Sequence, residues 1–480
     1  MHQTRRILLV AFLVVSIITQ NLFAQFPDFS KLTIFTPSET KTILAKPVIV
    51  LQEEIFKRTG ISPVVSYTTP INNSFKVLLV LENNLSILPQ ILQNNLRQVA
   101  PTGKDGFRLL LEKETKTIII TGNDARSILY GVGYLLRKTE LRPGKIQVPE
   151  SITISSTPLY PIRGHQLGYR PKTNSYDAFS VAQFDQYIRE LALFGANSIE
   201  IVPPRTDDDA TSRHMKLAPI KMIAEQSRIC KSYGLDVWMW YPNMGADYTD
   251  RKTIQEELNE REEVFAAVEK LDAVFVPGGD PGELEPDVLF SWLEKEAVVL
   301  HKYHPNAKIW VSPQVFRPTR KWMDSFYDYV NKKFSWFGGV VFGPWIKTPI
   351  DSIRKIVDPS IPIRIYPDIT HSLSSQYPVP DWDLAYAMTL GRECINPRPY
   401  DEKHIQNVFA QYGAGSISYS EGTNDDVNKF IWSEQDWNPQ TTVEETLEDY
   451  ARFFIGPDYT ESITKGIVSL EKNLSGPLLS

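Results

Sequence analysis

The segment Gly278-Gly279-Asp280-Pro281-Gly282-Glu283 sets two carboxylates three residues apart behind a pair of glycines. Glycines let the backbone turn tightly, so both acids can enter one loop. Such a pair suits glycoside hydrolysis: one carboxyl group, kept protonated, donates to the leaving oxygen. The other, ionised, stabilises positive charge at the sugar carbon or activates the attacking group. The same six residues would also make an ordinary loop, because Asp-Pro and Pro-Gly form turns and Glu283 can cap a following helix. What favours chemistry is that the loop follows an apolar strand-like run, Ala273 to Pro277.

Other reactive or sugar-binding side chains also follow apolar runs. They are Arg163, His165 and Gln166; Arg205 and Asp207 to Asp209; Trp240, Tyr241 and Asn243; Gln314; Trp345; Tyr366 and Asp368; and Glu421 with Asn424, Asp425 and Asp426. Trp240, Tyr241, Trp345, Tyr366, Trp432 and Trp437 offer flat surfaces on which the apolar faces of sugar rings pack. Singly each suits ordinary packing; several together after strands suit a carbohydrate site. Consecutive side chains rarely converge on one ion, so Asp207 to Asp209 read as a solvated loop. The seven histidines are scattered along the chain, and no metal and no other cofactor is expected.

The elements that must position these groups follow a strand-helix beat after Pro161. Expected strands are Ile162 to Leu167, Ser198 to Val202, Asp236 to Trp240, Ala273 to Pro277, Lys308 to Ser312, Gly339 to Phe342, Ile363 to Tyr366 and Ser416 to Tyr419. Val181, Phe184, Tyr187, Ile188, Leu191 and Phe194 recur at helical spacing and stop at Gly195. Comparable helices fit Ile220 to Tyr233, Thr253 to Leu271 and Asp287 to Tyr303. This alternation predicts a parallel sheet. A closed (β/α)₈ TIM barrel is preferred over a doubly wound sheet, since no glycine-rich phosphate loop follows the first strand. In front, a helix over Val48 to Phe56, a strand over Phe75 to Val80, a hairpin of Gly106 to Glu112 with Thr117 to Thr121, and a helix capped by Asp124 predict a small α/β domain. Helices are expected beyond Thr442.

The expected boundaries are an export signal over 1–24, a front domain over 25–155, the barrel over 156–440 and a helical extension over 441–480. The signal rests on Arg5 and Arg6 before the apolar run Ile7 to Ile18, with Ala24 at the cut. It predicts a periplasmic or secreted protein without stable membrane insertion. The composition, 42% hydrophobic and 22% charged, is that of a globular protein with a core. A net charge of −6 lacks the concentrated basic surface that nucleic acid demands, so a neutral or weakly charged substrate fits better; with the carboxylates and aromatic residues above, the expected partner is a glycan. Cys230 and Cys394 are the only cysteines; they read as buried thiols or as one disulfide.

The run Tyr160-Pro161-Ile162-Arg163-Gly164-His165-Gln166-Leu167-Gly168-Tyr169-Arg170 resembles the opening barrel strand of β-N-acetylhexosaminidases of glycoside hydrolase family 20. The segment Asp124-Ala125-Arg126-Ser127-Ile128-Leu129-Tyr130-Gly131 is similar to the start of a helix in the non-catalytic domain before that barrel. The resemblance implies that Arg163 clamps sugar hydroxyls and that Asp280 orients the substrate's own acetamide as nucleophile. The family's Gly-Gly-Asp-Glu is interrupted here by Pro281 and Gly282, and Gly168 stands where the family carries Asp. The acid role of Glu283 is therefore an expectation from the loop itself, with Glu421 as reserve carboxylate. The front domain, the barrel and the stretch Tyr419 to Pro439 also resemble α-glucuronidases, which implies uronic acid glycosides met by Arg163, Arg205 or His165. A non-catalytic glycan-binding barrel is the remaining alternative.

Overall fold

The computed structural model describes residues 31–68, 75–171, 176–279, 283–370, 397–420, 426–473 and 476. The front domain runs β1 (Thr33–Phe35), α1 (Ala45–Thr59), β2 (Val64–Ser66), β3 (Lys76–Leu81), α2 (Gln90–Arg97), β4 (Phe107–Glu112), β5 (Thr117–Gly122), α3 (Ala125–Lys138), the short pair β6 (Glu140–Arg142) and β7 (Lys145–Gln147), and β8 (Thr153–Ser156). Its six-stranded sheet has the order β2-β1-β3-β5-β4-β8. The hairpin pairs Phe107 with Gly122 through Glu112 with Thr117. α3 starts where the sequence predicts: the Asp124 carboxylate accepts the Ser127 amide at 2.8 Å, a cap worth about 1 kcal/mol.

The barrel strands are β9 (Ile162–Gln166), β10 (Ser198–Ile201), β11 (Asp236–Trp240), β12 (Ala273–Val276), β13 (Lys308–Val311), β14 (Phe337–Phe342), β15 (Ile363–Ile365) and β17 (Gly415–Ser420), with the short β16 (Asp368–Thr370) alongside β17. All neighbours are parallel, and pairing of β17 with both β9 and β15 closes the ring. The helices around it are α4 (Val181–Leu193), α5 (Pro219–Tyr233), α6 (Arg251–Ala267), α7 (Pro286–Tyr303), α8 (Arg320–Val330), α9 (Ile350–Ile356), α10 (Pro399–Ala410) and α11 (Asp426–Trp437), followed by α12 (Val443–Tyr450) and α13 (Thr460–Lys472). The fold is thus a (β/α)₈ barrel preceded by a small α/β domain.

Alternation along each strand sorts side chains between two cores. Trp238, Trp240, Phe275, Trp310, Val341, Tyr366 and Tyr419 fill the lumen, whereas Val237, Met239 and Tyr241 join the layer between strands and helices. No helix among the described residues is long and apolar enough to cross a membrane. Cys230 is a buried free thiol; Cys394 lies outside the described residues, as do the expected signal, Asp280 and Glu421.

The front domain grips the foot of the barrel through Asp105. Its carboxylate accepts Arg126 Nη2 at 2.7 Å, Arg163 Nη2 at 3.0 Å and Asn197 Nδ2 at 3.2 Å. Close by, α3 lies against the end of α4, where a Cβ on Gly133 would sit 2.3 Å from the Leu193 carbonyl oxygen. Breaking one partner out of a buried ion pair costs about 3–5 kcal/mol. Arg163→Met, which leaves Asp105 without that partner, is therefore expected to lower Tm markedly in a thermal melt, and an unchanged Tm would remove this joint from the stability of the protein.

Two buried carboxyls sit behind the barrel between α10 and α11. Burial pushes Asp436, which accepts Gln406 Nε2 at 2.9 Å and the Ser416 hydroxyl, up to about 7. Burial likewise pushes Glu402 up to about 7, against the opposing charge of Arg398. A carboxyl raised in the folded state binds its proton more tightly there than in the unfolded chain. Stability from these groups is thus full below the unfolded value and falls as pH rises towards 7. Asp436→Asn is expected to raise Tm by about 2–4 °C at pH 8 and to leave it unchanged at pH 4, measured by calorimetry across that range.

Candidate functional site

The carboxyl ends of the barrel strands surround a cavity of about 250 Å³. Trp240 from β11, Tyr366 after β15 and Tyr419 from β17 wall its inner part, and each is buried. Gln314 and Phe316 reach it from the segment after β13, Pro344 and Trp345 from the segment after β14, and Asp368 from β16. Arg170 and Asp207 complete the lining. The Arg170 guanidinium lies 5.0 Å from the Trp240 ring centroid and 5.8 Å from that of Tyr419, and it pairs with Asp208 at 3.0 Å. Arg170 thus presents to the cavity a cation held by Asp208 and packed beside two aromatic rings.

Beneath the cavity the lumen is closed by polar groups rather than by aliphatic packing alone. Gln166 Nε2 donates to Glu200 Oε1 at 2.9 Å and to the Tyr366 hydroxyl at 3.2 Å. Arg364 donates to the other Glu200 oxygen. Its guanidinium is packed 4.9 to 5.2 Å from the ring centroids of Trp238, Phe275 and Tyr366. Burial, with the Glu200 charge in support, drives the Tyr366 phenol well above its usual range. It therefore meets a ligand as a neutral hydroxyl, both donor and acceptor.

Of the residues expected from sequence, Trp240, Gln314, Trp345, Tyr366, Asp368 and Asp207 line the cavity. Arg163 does not. It is fully buried at the opposite end of β9, where its guanidinium donates to the Gly195 and Tyr160 carbonyls, both at 2.9 Å, as well as to Asp105. A sugar clamp needs free donors in the mouth; these are spent in the foot. His165 shares the outward parity of Arg163, and its ring nitrogens meet the Ser418 and Ser433 hydroxyls at 2.7 Å each. Burial, supported by the Lys429 charge, holds this imidazole well below its usual range, hence neutral. Tyr241, one residue past inward-facing Trp240, points outward and donates to Glu260 at 3.2 Å. Trp432 lies on α11, where its indole donates to Glu402 at 2.6 Å. Arg205 is held by Glu257 and Glu260.

Glu283 is exposed and is not among the residues that line the cavity; its Oε1 accepts the backbone amide of Phe316, which does line it, at 3.2 Å. Gly278 and Gly279, just past the end of β12, pack closely against the backbone leaving β13. A Cβ on Gly278 would stand 2.3 Å from the Ser312 carbonyl oxygen, and one on Gly279 would meet the Val315 side chain at 2.8 Å and the Gln314 carbonyl at 2.9 Å. Arg170, Phe316, Glu200 and Arg364 were not singled out from sequence as site residues. For Glu200 the signal exists: a lone carboxylate of one parity between Ile199 and Ile201. Among the described residues no group of three or more His, Cys, Asp or Glu is arranged to hold a metal ion.

Fold and cavity together define a barrel protein of the kind that binds ligands at its strand ends. No family model and no curated protein matches the chain. Solved structures do. The GH20 β-N-acetylhexosaminidase of Streptomyces coelicolor A3(2) aligns over 90% of this chain and 93% of its own, at 13% identity and a TM-score of 0.59. A GH138 enzyme targeting pectin rhamnogalacturonan II aligns over 92% and 69%, at 12% identity and a TM-score of 0.62. A GH20 exo-β-N-acetylglucosaminidase of Vibrio harveyi, in complex with N-acetylglucosamine, aligns over 92% and 75%, at 11% identity and 0.54. The chain shares its architecture with these glycoside hydrolases.

The glycine contact gives a direct test. Gly278→Ala is expected to destabilise the protein by about 1–3 kcal/mol through overpacking against backbone. Gly466→Ala on α13, where a Cβ meets open space, is expected to stabilise it by about 0.5–1 kcal/mol. Chemical denaturation of both variants reads the difference.

Proposed function

We propose that this protein is a glycosidase acting at the barrel mouth on a β-linked N-acetylhexosamine-type sugar. The observation that carries the reading is the anchoring of Glu283 to Phe316, a wall residue of a cavity lined by aromatic and hydrogen-bonding groups. The shared architecture with two GH20 enzymes supports it. In this reading Glu283 gives its proton to the glycosidic oxygen as the bond to the anomeric carbon breaks. The acetamide carbonyl oxygen of the sugar attacks that carbon, oriented by Asp280. Water then opens the cyclic intermediate, returning a proton to Glu283, and the anomeric configuration is retained. Tyr366, Gln314 and Asp368 supply hydrogen bonds to the sugar, and Trp240 and Tyr419 its apolar walls. No metal takes part. The apolar stretch after Arg5 and Arg6 supports action outside the cytoplasm, on periplasmic or secreted glycan.

A second reading, uronic acid glycosides, is favoured by Arg170. Paired with Asp208 on one side, this guanidinium lines the cavity and suits a substrate carboxylate, whereas Arg163, Arg205 and His165 are not among the lining residues. The GH138 neighbour targets pectin, and its architecture is shared.

The test is hydrolysis of aryl β-N-acetylhexosaminides beside aryl uronides by wild type, Glu283→Gln and Asp280→Asn. With a poor leaving group, Glu283→Gln is expected to lose about 10²–10⁴-fold in kcat, and Asp280→Asn to lose activity on the N-acetylated substrate. An unimpaired Glu283→Gln enzyme removes that residue from the acid role. Turnover of uronides alone selects the second reading. Glycan affinity without any turnover, unchanged in Glu283→Gln, makes the barrel a binding protein.

A further inference from the structure

Exposure is graded along the aromatic residues of the mouth. Trp240, Tyr366 and Tyr419 are at most 7% exposed, while Phe316 and Trp345 are each 46% exposed and still line the same cavity. The two outer rings belong to different loops, yet their centroids are 5.6 Å apart at 57°. They form a single angled surface at the rim.

Trp345 holds this position at a cost. Its φ is +65°, the left-handed region that a bulky side chain occupies only under strain, about 1–3 kcal/mol. A glycine would satisfy the same turn without that cost. The residue is only partly buried, 46% exposed, with the Phe316 ring beside it and the Lys347 ammonium 5.3 Å from its centroid. A strained backbone that displays a large apolar ring beside a cavity is explained by a ligand that covers the ring.

The position of Glu283 tells which part of the ligand that is. The Phe316 amide holds its carboxylate, and a general acid stands on the side from which the leaving group departs. We propose that Phe316 and Trp345 form the leaving-group side of the site, a platform for a pyranose ring beyond the scissile bond. The substrate is then a glycan chain of two or more sugars, not a single sugar with a small aglycone. This rests on Glu283 being the proton donor.

The test uses the full chain carrying Glu283→Gln, so that no ligand is consumed. By calorimetry it is titrated with the β-1,4-linked tetrasaccharide of N-acetylglucosamine, with the tetrasaccharide of galacturonic acid, and with the two monosaccharides. Trp345→Ala, Phe316→Ala and Trp345→Phe are added in turn, each checked by thermal melting. At least one tetrasaccharide is expected to bind tenfold or more tightly than its monosaccharide. That advantage is expected to disappear in both alanine variants and to survive in Trp345→Phe, with monosaccharide affinity held within twofold. A tetrasaccharide advantage that persists in folded Trp345→Ala and Phe316→Ala overturns the platform. So does the lack of any advantage at the outset, or a parallel loss of monosaccharide affinity, which would put the rings on the other side of the bond. Failure of the acid assignment reads differently: Glu283→Gln would then leave turnover intact while the tetrasaccharide advantage still depends on Trp345.

Discussion

The interaction on which the mouth depends is the buried Glu200 carboxylate, shared between Arg364 and Gln166 in the lumen. A charge so placed is tolerated only when paired and hydrogen-bonded. Here the pairing also carries geometry upward. Arg364 is wedged among Trp238, Phe275 and Tyr366, and Gln166 spends its second donor on the Tyr366 hydroxyl. The ring of a residue in the cavity wall is thereby fixed from below by residues of β9, β10 and β15. The floor of the site is a set of charges locked into place by the register of the strands.

The opposite end of the barrel is equally committed. Arg163, Arg126 and Asn197 converge on Asp105, and the Tyr130 hydroxyl donates to the Ala196 carbonyl at 3.1 Å. Trp437 sits edge-on to Tyr130 with centroids 5.1 Å apart. The front domain therefore meets the foot of the barrel through Asp105, Arg126 and Tyr130, leaving the mouth as the end lined by segments after the strands.

The architecture was legible because apolar runs and helical spacing report burial directly. All eight expected barrel strands lie where the beat places them, and helices such as Pro219–Tyr233 and Pro286–Tyr303 begin within a residue of their expected starts. The site was legible only in part. Which parity of a strand faces the lumen is set by its partners, so Trp240 and Tyr241 are indistinguishable in sequence although one enters the cavity and the other packs against helices. The same ambiguity hid the outward orientation of Arg163 and His165 beside inward Gln166. Trp432 reads as aromatic material near a strand end, but it falls on a helix whose inner face meets Glu402. Arg170 and Phe316 sit in loops, where no period marks a role. Asp280 and Glu421 lie outside the described residues.

The near contact of Gly278 and Gly279 with the backbone leaving β13 has a bearing on how such a mouth can change over generations. Two neighbouring loops that touch main chain to main chain cannot drift separately, since lengthening or bulking one displaces the other. They would be inherited, or exchanged in engineering, as a single cassette. Freedom to acquire new preferences is then left to the other segments that line the cavity, among them the one bearing Asp207.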